Sequence, residues 1–423
     1  MKNRTRRPRL LALAVGTVAT VCGCTMSSAP SGDDAGGKTT LTFWHYYQGT
    51  QRTWLEDQTA KFEKDNPDVN VNLVQVVGDQ QDQKLLASVA TGKTPDLFIN
   101  NIVVDYPTLV SGGVMKDLTH YWKAYADKGQ FPSGAVWKTD GKVYNLMTYT
   151  NLLGMYYNKD ILSKYGINKP PSTLKELQQD LAKVTADGKY KGLALSGAPT
   201  VEGAWLFAPQ LLGQGVDYCN WAGSQEKVNT AFQRLDAWAR KGYIPKAAAT
   251  WDQNASWQQF MTGKYAFAFN GNWQLGNVKK ATFEYGTARI PAPAGGKSQV
   301  YPGGEGFAIG AKSEHPDLAW KFLKQAILSS QGEKNVYTKA GSIPVRADVA
   351  DMPAIKKDDY VQPFVRAAQD TAAWPNNSNT ANMQTSLGKA VSAVISGQKT
   401  AAEGAKSATE DIAKARKKGG GGC

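Results

Sequence analysis

The chain has 423 residues, with 49 Lys and Arg against 36 Asp and Glu and four cysteines. That length exceeds what one hydrophobic core organises, so two domains of ordinary size are expected. The formal charge of +13 is scattered among acids rather than gathered on one face, which argues against a nucleic-acid partner, and the cysteines show no zinc-type pairing.

Arg4, Arg6, Arg7 and Arg9 precede an apolar run from Leu10 to Val21, closed by Val21-Cys22-Gly23-Cys24. The run is too short for a permanent membrane span, which takes about 20 apolar residues. It fits a cleaved export signal over residues 1–23. Removing Lys2 and the four arginines takes +13 down to +8. The ending resembles a bacterial lipobox, and Cys24 rather than Cys22 follows a small residue, so Cys24 is the expected lipidation site. Thr5-Arg6-Arg7 also resembles a twin-arginine signal, although Arg9 stands where an aromatic is preferred; Sec and Tat export both stay open. Residues 24–38, rich in Ser, Gly, Ala and Asp, read as a flexible tether. Stable anchoring generally takes two acyl chains, which a diacylated Cys24 would supply. No later segment is apolar enough to cross a bilayer.

Leu41-Thr42-Phe43 begins a strand, and Trp44 to Gln48 lies where it runs out. Gln51–Lys64 reads as a helix with Leu55, Thr59 and Phe62 on one stripe. Val69, Val71 and Leu73 alternate with Asn70 and Asn72, the period of a strand. A second helix with Leu85, Leu86 and Val89 inward is followed by the apolar Leu97-Phe98-Ile99. Alternation of strand and helix predicts βαβ units, a mostly parallel sheet, and a ligand site beyond the carboxyl ends of the strands, where Trp44–Gln48 and Asn100-Asn101 fall. A weaker second pattern follows: a strand over Leu152–Tyr157, a helix with Leu174, Leu177 and Leu181 inward, strands at Tyr265–Phe269 and Phe307–Ile309, and a helix from Pro316. Helices around Thr385–Ile395 and Ala401–Ala415 finish the chain, and residues 417–423 read as a disordered tail. Whether Cys219 and Cys423 pair stays open.

Seven signatures occur in order: Phe43-Trp44; Thr94-Pro95-Asp96-Leu97-Phe98; Met155 to Asp160; Ala268 to Trp273; Gly303-Gly304 leading to Phe307-Ala308-Ile309; Gly341 to Arg346; and Ile395-Ser396-Gly397. Jointly they resemble the extracellular solute-binding proteins of family 1 over residues 41–416. The resemblance implies an α/β, two-lobe periplasmic-binding-protein-like fold (type II) with ligand in the interlobe cleft. It implies three chain crossings, placed near Thr148–Asn151, Gly271–Trp273 and Gly310–Ser313. The first lobe would then hold 39–150 plus 272–311 and the second 151–271 plus 312–416. It further implies a monomer that binds a sugar or oligosaccharide at the outer face of the cell membrane and delivers it to the permease subunits of an ABC importer.

A sugar presents C–H-rich faces and an edge of hydroxyls, so its site needs flat aromatics and in-plane polar side chains. Candidates from strand ends, crossings and glycine-rich turns are Trp44, Tyr46, Tyr47, Gln48, Asp96, Asn100, Asn101, Asn151, Asn272, Trp273, Gly304 and Glu305. Trp205, with Glu202, reads as part of a polar-to-aromatic loop, and Trp374, before Pro375, resembles the aromatic that family members carry on the second lobe ahead of the final helices. Trp238 and Trp320, on amphipathic helices, read as core. No G-x-S-x-G or H-E-x-x-H is present, and His45, His120 and His315 show no metal spacing, so neither catalysis, a metal nor a cofactor is expected. The alternatives kept open are a glycoside hydrolase, for which Glu305 with Asp96 or Glu202 could be the carboxyl pair, and a surface adhesin.

Overall fold

The computed structural model describes residues 37–375 and 377–421. The export signal, Cys24, most of the tether and Cys423 lie outside the described residues. In chain order the strands are β1 (Thr39–His45), β2 (Val69–Gln75), β3 (Leu97–Asn101), β4 (Val136–Thr139), β5 (Lys142–Met147), β6 (Tyr149–Thr150), β7 (Leu153–Asn158), β8 (Lys191–Ala194), β9 (Tyr265–Gly271), β10 (Tyr285–Ala288), β11 (Glu305–Ile309) and β12 (Ile343–Pro344). They form a six-stranded sheet in the order β2-β1-β3-β11-β5-β4, a four-stranded sheet in the order β10-β7-β9-β8, and the short pair β12-β6.

Each sheet carries its own core, which makes two lobes. In the first, Leu41 and Phe43 of β1 point to one face, as the period of two requires. The helix Gly49–Asp65 covers that face with Trp54, Leu55, Gln58, Thr59 and Phe62, a stripe at helical spacing. Phe43 and Phe62 meet Phe322 edge-on, with ring centroids 5.8 and 5.0 Å apart. In the second lobe the helix Leu174–Thr185 starts at a capping box between Thr173 and Glu176 and buries Leu177, Leu181 and Val184. Trp238 is fully buried there, and Trp320 nearly so in the first lobe.

The sheets are mixed rather than mostly parallel. β1 runs parallel to β2 and β3, whereas β11 is antiparallel to both of its neighbours, and only β8 pairs parallel with β9 in the second sheet. The reason is connectivity. The chain returns to the first lobe at the cleft and must run away from it, against the direction of β3.

The lobe boundaries differ from the expected ones. β10 pairs with β7, and Leu275, Val278, Ile290, Val300 and Tyr301 belong to the second-lobe core, so 272–301 lies in the second lobe. Trp320, Phe322, Leu323, Ile327 and Val336 pack with Phe43 and Phe307, so the stretch from β11 to about residue 340 lies in the first. The crossings therefore run through Thr148–Leu152, Pro302–Glu305 and Ser342–Arg346, and only the first coincides with its expected place. They lie side by side: β12 pairs with β6, Val345 N donates to Thr148 O (3.0 Å), and Asn151 and Gly303 exchange two backbone bonds of 2.9 and 2.7 Å.

At the other end, helices span Thr380–Ser396 and Ala401–Lys418, so the chain is helical further than its Gly-rich end suggested. Cys219 is disulfide-bonded. No helix among the described residues is long and apolar enough to cross a membrane.

Gly306, opposite Asn100 in β3, sits where a Cβ would stand 1.8 Å from Asn145 Oδ1. Asn145 is fully buried and donates to Asn100 Oδ1, so it has nowhere to retreat. Gly306→Ala is expected to lower the free energy of unfolding by about 1–3 kcal/mol, the range for overpacking. Urea denaturation checks this; an unchanged midpoint would mean that β5 and β11 part more readily than their register implies.

Candidate ligand-binding cleft

The carboxyl ends of β1, β3 and β5, the start of β11, the end of β9 and the start of β7 all meet at the three crossings. Strands of five to seven residues bring about 17–23 Å of extended chain to that edge. Side chains just past these ends are therefore the ones that face the other lobe.

On the first-lobe side, Tyr46 follows β1. Its hydroxyl is buried with no partner, and its pKa is raised by burial and then by the carboxyls of Glu305, Asp105 and Asp82. Asn101, at the end of β3, accepts Val103 N and Val104 N at 3.1 and 3.2 Å, and its own N–H donates to Asp105 Oδ2 at 2.8 Å. Burial holds Asp105 well above the usual carboxyl range. Asp82, from the helix Gly78–Ala90, shares a hydrogen bond with it, in which protonated Asp105 donates.

Glu305 opens β11 beside Asn101. Asn151 Nδ2 donates to its Oε2 at 3.0 Å, and the buried Tyr149 hydroxyl is its other side-chain partner. Burial pushes Glu305 up to about 7, against which those two hydrogen bonds work. Tyr149 and Asn151 both belong to the first crossing, and Glu305 ends the second. The carboxyl thus ties two crossings together at the floor of the cleft. Gly304, before it, has φ +149°, and a Cβ there would stand 2.9 Å from Tyr149 O. That backbone favours glycine.

On the second-lobe side, Trp205 lies on the helix Val201–Phe207, which Thr200 caps, where the sequence suggested a loop. It stacks on Trp273, with centroids 5.5 Å apart and planes 18° from parallel, and covers Gly303. Trp273 follows β9 in a single turn, Asn272–Gln274. The pair makes a half-buried aromatic wall, and Trp205 Nε1 is buried without a partner.

Several candidates go elsewhere. Trp44 alternates to the opposite face of β1 from Phe43 and packs with the cluster of Leu85, Phe98 and Tyr106. Tyr47 is 1% exposed, its hydroxyl 2.5 Å from that of Tyr149 and its ring against Trp54. Asp96 stands at the far end of β3, where it accepts Thr42 N (2.9 Å) and Ser313 Oγ. Asn100 is fully buried between strands, bonded to Asn145. Asn272 clamps the first crossing, accepting Leu152 N at 2.6 Å and donating to Thr150 O at 3.1 Å. Trp374 donates to Pro302 O at 2.6 Å and stacks on Tyr301 at 3.9 Å, bracing the second crossing. Gln48, by contrast, stays exposed after β1, before the helix Gly49–Asp65, which it does not cap, and its side chain is left available. Glu202 accepts Gln253 N at 2.8 Å. Asp82, Asp105 and Tyr149 were missed; Asp105 had a faint signal, an Asn-x-x-x-Asp spacing straight after an apolar strand. Among the described residues no cluster of His, Cys, Asp and Glu could hold a metal ion.

Comparison with known proteins agrees with this architecture. The maltodextrin-binding protein MdxE of Bacillus subtilis is 25% identical over 418 residues, 95% of this chain and 94% of its own. A maltooligosaccharide ABC transporter solute-binding lipoprotein of Streptococcus pneumoniae is 24% identical, covering 90% and 89%. The solved GacH receptor of Streptomyces glaucescens superposes with a TM-score of 0.80 over 90% of this chain and 99% of its own, at 23% identity. The profile of bacterial extracellular solute-binding proteins matches residues 57–363, and the chain belongs to that family.

Proposed function

We infer that this chain is the extracytoplasmic solute-binding component of an ABC importer and that its cleft takes a carbohydrate. It binds its solute without transforming it. The observation that carries the reading is the pairing of surfaces across the cleft: the Trp205–Trp273 wall on one lobe against Glu305, Asp105 and Tyr46 on the other. The relatives named for maltodextrin and maltooligosaccharide binding support it. Of the expected binding residues, Tyr46, Gln48, Asn101, Asn151, Trp205, Trp273, Gly304 and Glu305 remain proposals, and Asp82 and Asp105 join them.

A hydrogen bond nets only about 0.5–1.5 kcal/mol, and micromolar affinity needs about 8 kcal/mol. Both walls must therefore engage one ligand. A solute that touches both favours the closed arrangement by its differential affinity, with the three adjacent crossings as the pivot. The closed monomer then hands its solute to the permease subunits, whose ATPase supplies the energy. Isothermal titration against maltose, maltotriose and a panel of other mono- and oligosaccharides, with scattering profiles for closure, tests this. A bound but unchanged sugar supports it; no heat and no change of shape with any of them would sink it.

Lipidated Cys24 is proposed to hold the chain at the outer face of the membrane, on the tether over 24–38. Cys24→Ala is expected to shift essentially all the protein from the membrane fraction to the soluble fraction. Retention of the variant on membranes would mean a different attachment.

A further inference from the structure

The first-lobe side of the cleft collects acids without bases. Asp105 is held by Asn101 at the end of β3, Glu305 is Asn101's partner on β11, and Asp82 reaches Asp105 from the helix behind. None of the ion pairs among the described residues includes any of the three. The titratable groups that face them are Tyr46 and Tyr47 after β1, Tyr149 on β6, and one another.

Acceptors are also left over. Asn151 is 5% exposed and spends its Nδ2 on Glu305, yet its Oδ1 is buried with no partner. Asp82 Oδ1 is in the same state, and so is the Tyr46 hydroxyl, which can accept or donate; against these carbonyl and carboxyl acceptors stands the unpartnered donor Trp205 Nε1. Leaving buried acceptors unmade is costly, so an occupant rich in donors is called for. A neutral hydroxyl brings one hydrogen and no charge. An ammonium brings three donors and the missing positive charge, and the rings of Tyr46, Trp205 and Trp273 offer π faces that attract a cation.

We propose that the solute taken by this cleft carries a protonated amine and is of the amino-sugar class. The inference rests on the carbohydrate reading above and narrows it. Burial favours the protonated form of the acids in this cleft, pushing Glu305 up to about 7 and Asp105 well above its ordinary range. When the ammonium arrives, a carboxylic acid loses its proton to solvent and the carboxylate pairs with the cation. Binding therefore releases a proton below neutral pH and tightens as pH rises from 5 towards 7.

The test is isothermal titration of the full chain at pH 6.5 with matched pairs: glucosamine against glucose, galactosamine against galactose, and the glucosamine β-1,4 dimer against cellobiose, with the N-acetylated forms as neutral controls. In at least one pair the amine is expected to bind tenfold or more tighter than its hydroxyl parent. N-acetylation should abolish that gain, and the heat should vary with buffer ionisation as release of close to one proton requires. In Asp82→Asn/Asp105→Asn the preference should fall below threefold; Glu305→Gln gives a second reading should the double variant fail to fold. Parents that bind as tightly as their amines in every pair that binds would overturn the inference and leave the carbohydrate reading standing. Silence from every sugar, charged or neutral, would remove both.

Discussion

Replacing Glu305 with glutamine is expected to flatten the dependence of the empty protein's stability on pH between about 5 and 8. Burial raises this carboxyl from 4.5 to about 7, so the folded chain binds a proton that the unfolded chain has already lost. Stability of that kind is present below the unfolded pKa and is lost as pH rises through the folded one. At about 1.4 kcal/mol per pKa unit, wild type should lose up to about 3 kcal/mol from this group across the window. Asp105 and Asp82 shift in the same direction, so the slope of the variant will not reach zero. The diagnostic quantity is the difference in unfolding free energy between wild type and Glu305→Gln, measured by urea denaturation at pH 5 and again at pH 8. A difference that stays constant would mean that Glu305 ionises as an ordinary surface carboxyl. Glutamine keeps the acceptor for Asn151 but cannot carry charge, so ligand affinity should also fall, by roughly ten- to a hundredfold if a charged hydrogen bond of about 1.5–3 kcal/mol is lost.

Trp273→Ala should weaken ligand binding by tenfold or more, equivalent to about 1.4 kcal/mol. The ring is held rather than loose. It lies flat on Trp205, and it fills the space over Gly271, where a Cβ would come within 1.8 Å of it. Removing it deletes one platform and frees the other to turn, and aromatic pairing adds about 0.5–1.5 kcal/mol beyond the area it buries. Trp205→Ala should do nearly as much alone, and the double variant less than the sum of the two, because each single change already disorders the wall. Calorimetry on the four proteins measures that coupling. Unaltered affinity in Trp273→Ala, with the melting curve intact, would place the ligand elsewhere.

The sequence is legible where its signal is local. β1 and β2 show alternation, the helix Gly49–Asp65 shows its apolar stripe, and Glu305 stands out as a lone acid among glycines. Trp205 and Trp273 were legible as aromatics beside polar neighbours at element ends. Asp96 and Asn100 looked equally good and are structural, since a polar residue beside a strand reads the same whether it meets a ligand or a neighbouring N–H. Trp44 and Tyr47 were chosen for their place after Phe43, and alternation with a tight turn sent one to the back of the sheet and the other into the core.

Local pattern determined that the chain is α/β, that it is built in two parts, and that aromatics and carboxyls gather at strand ends. It could not say to which part each returning segment belongs. The helix beginning at Pro316 would bury Trp320 and Phe322 on either sheet with the same apolar face. Hydrophobic burial is non-directional and reads area rather than address. Which sheet received it, which crossings lie side by side, and which three acids were left facing one another without a base were decided only when the strands paired. Register and hydrogen-bond partners are properties of two distant stretches at once, and neither stretch contains them.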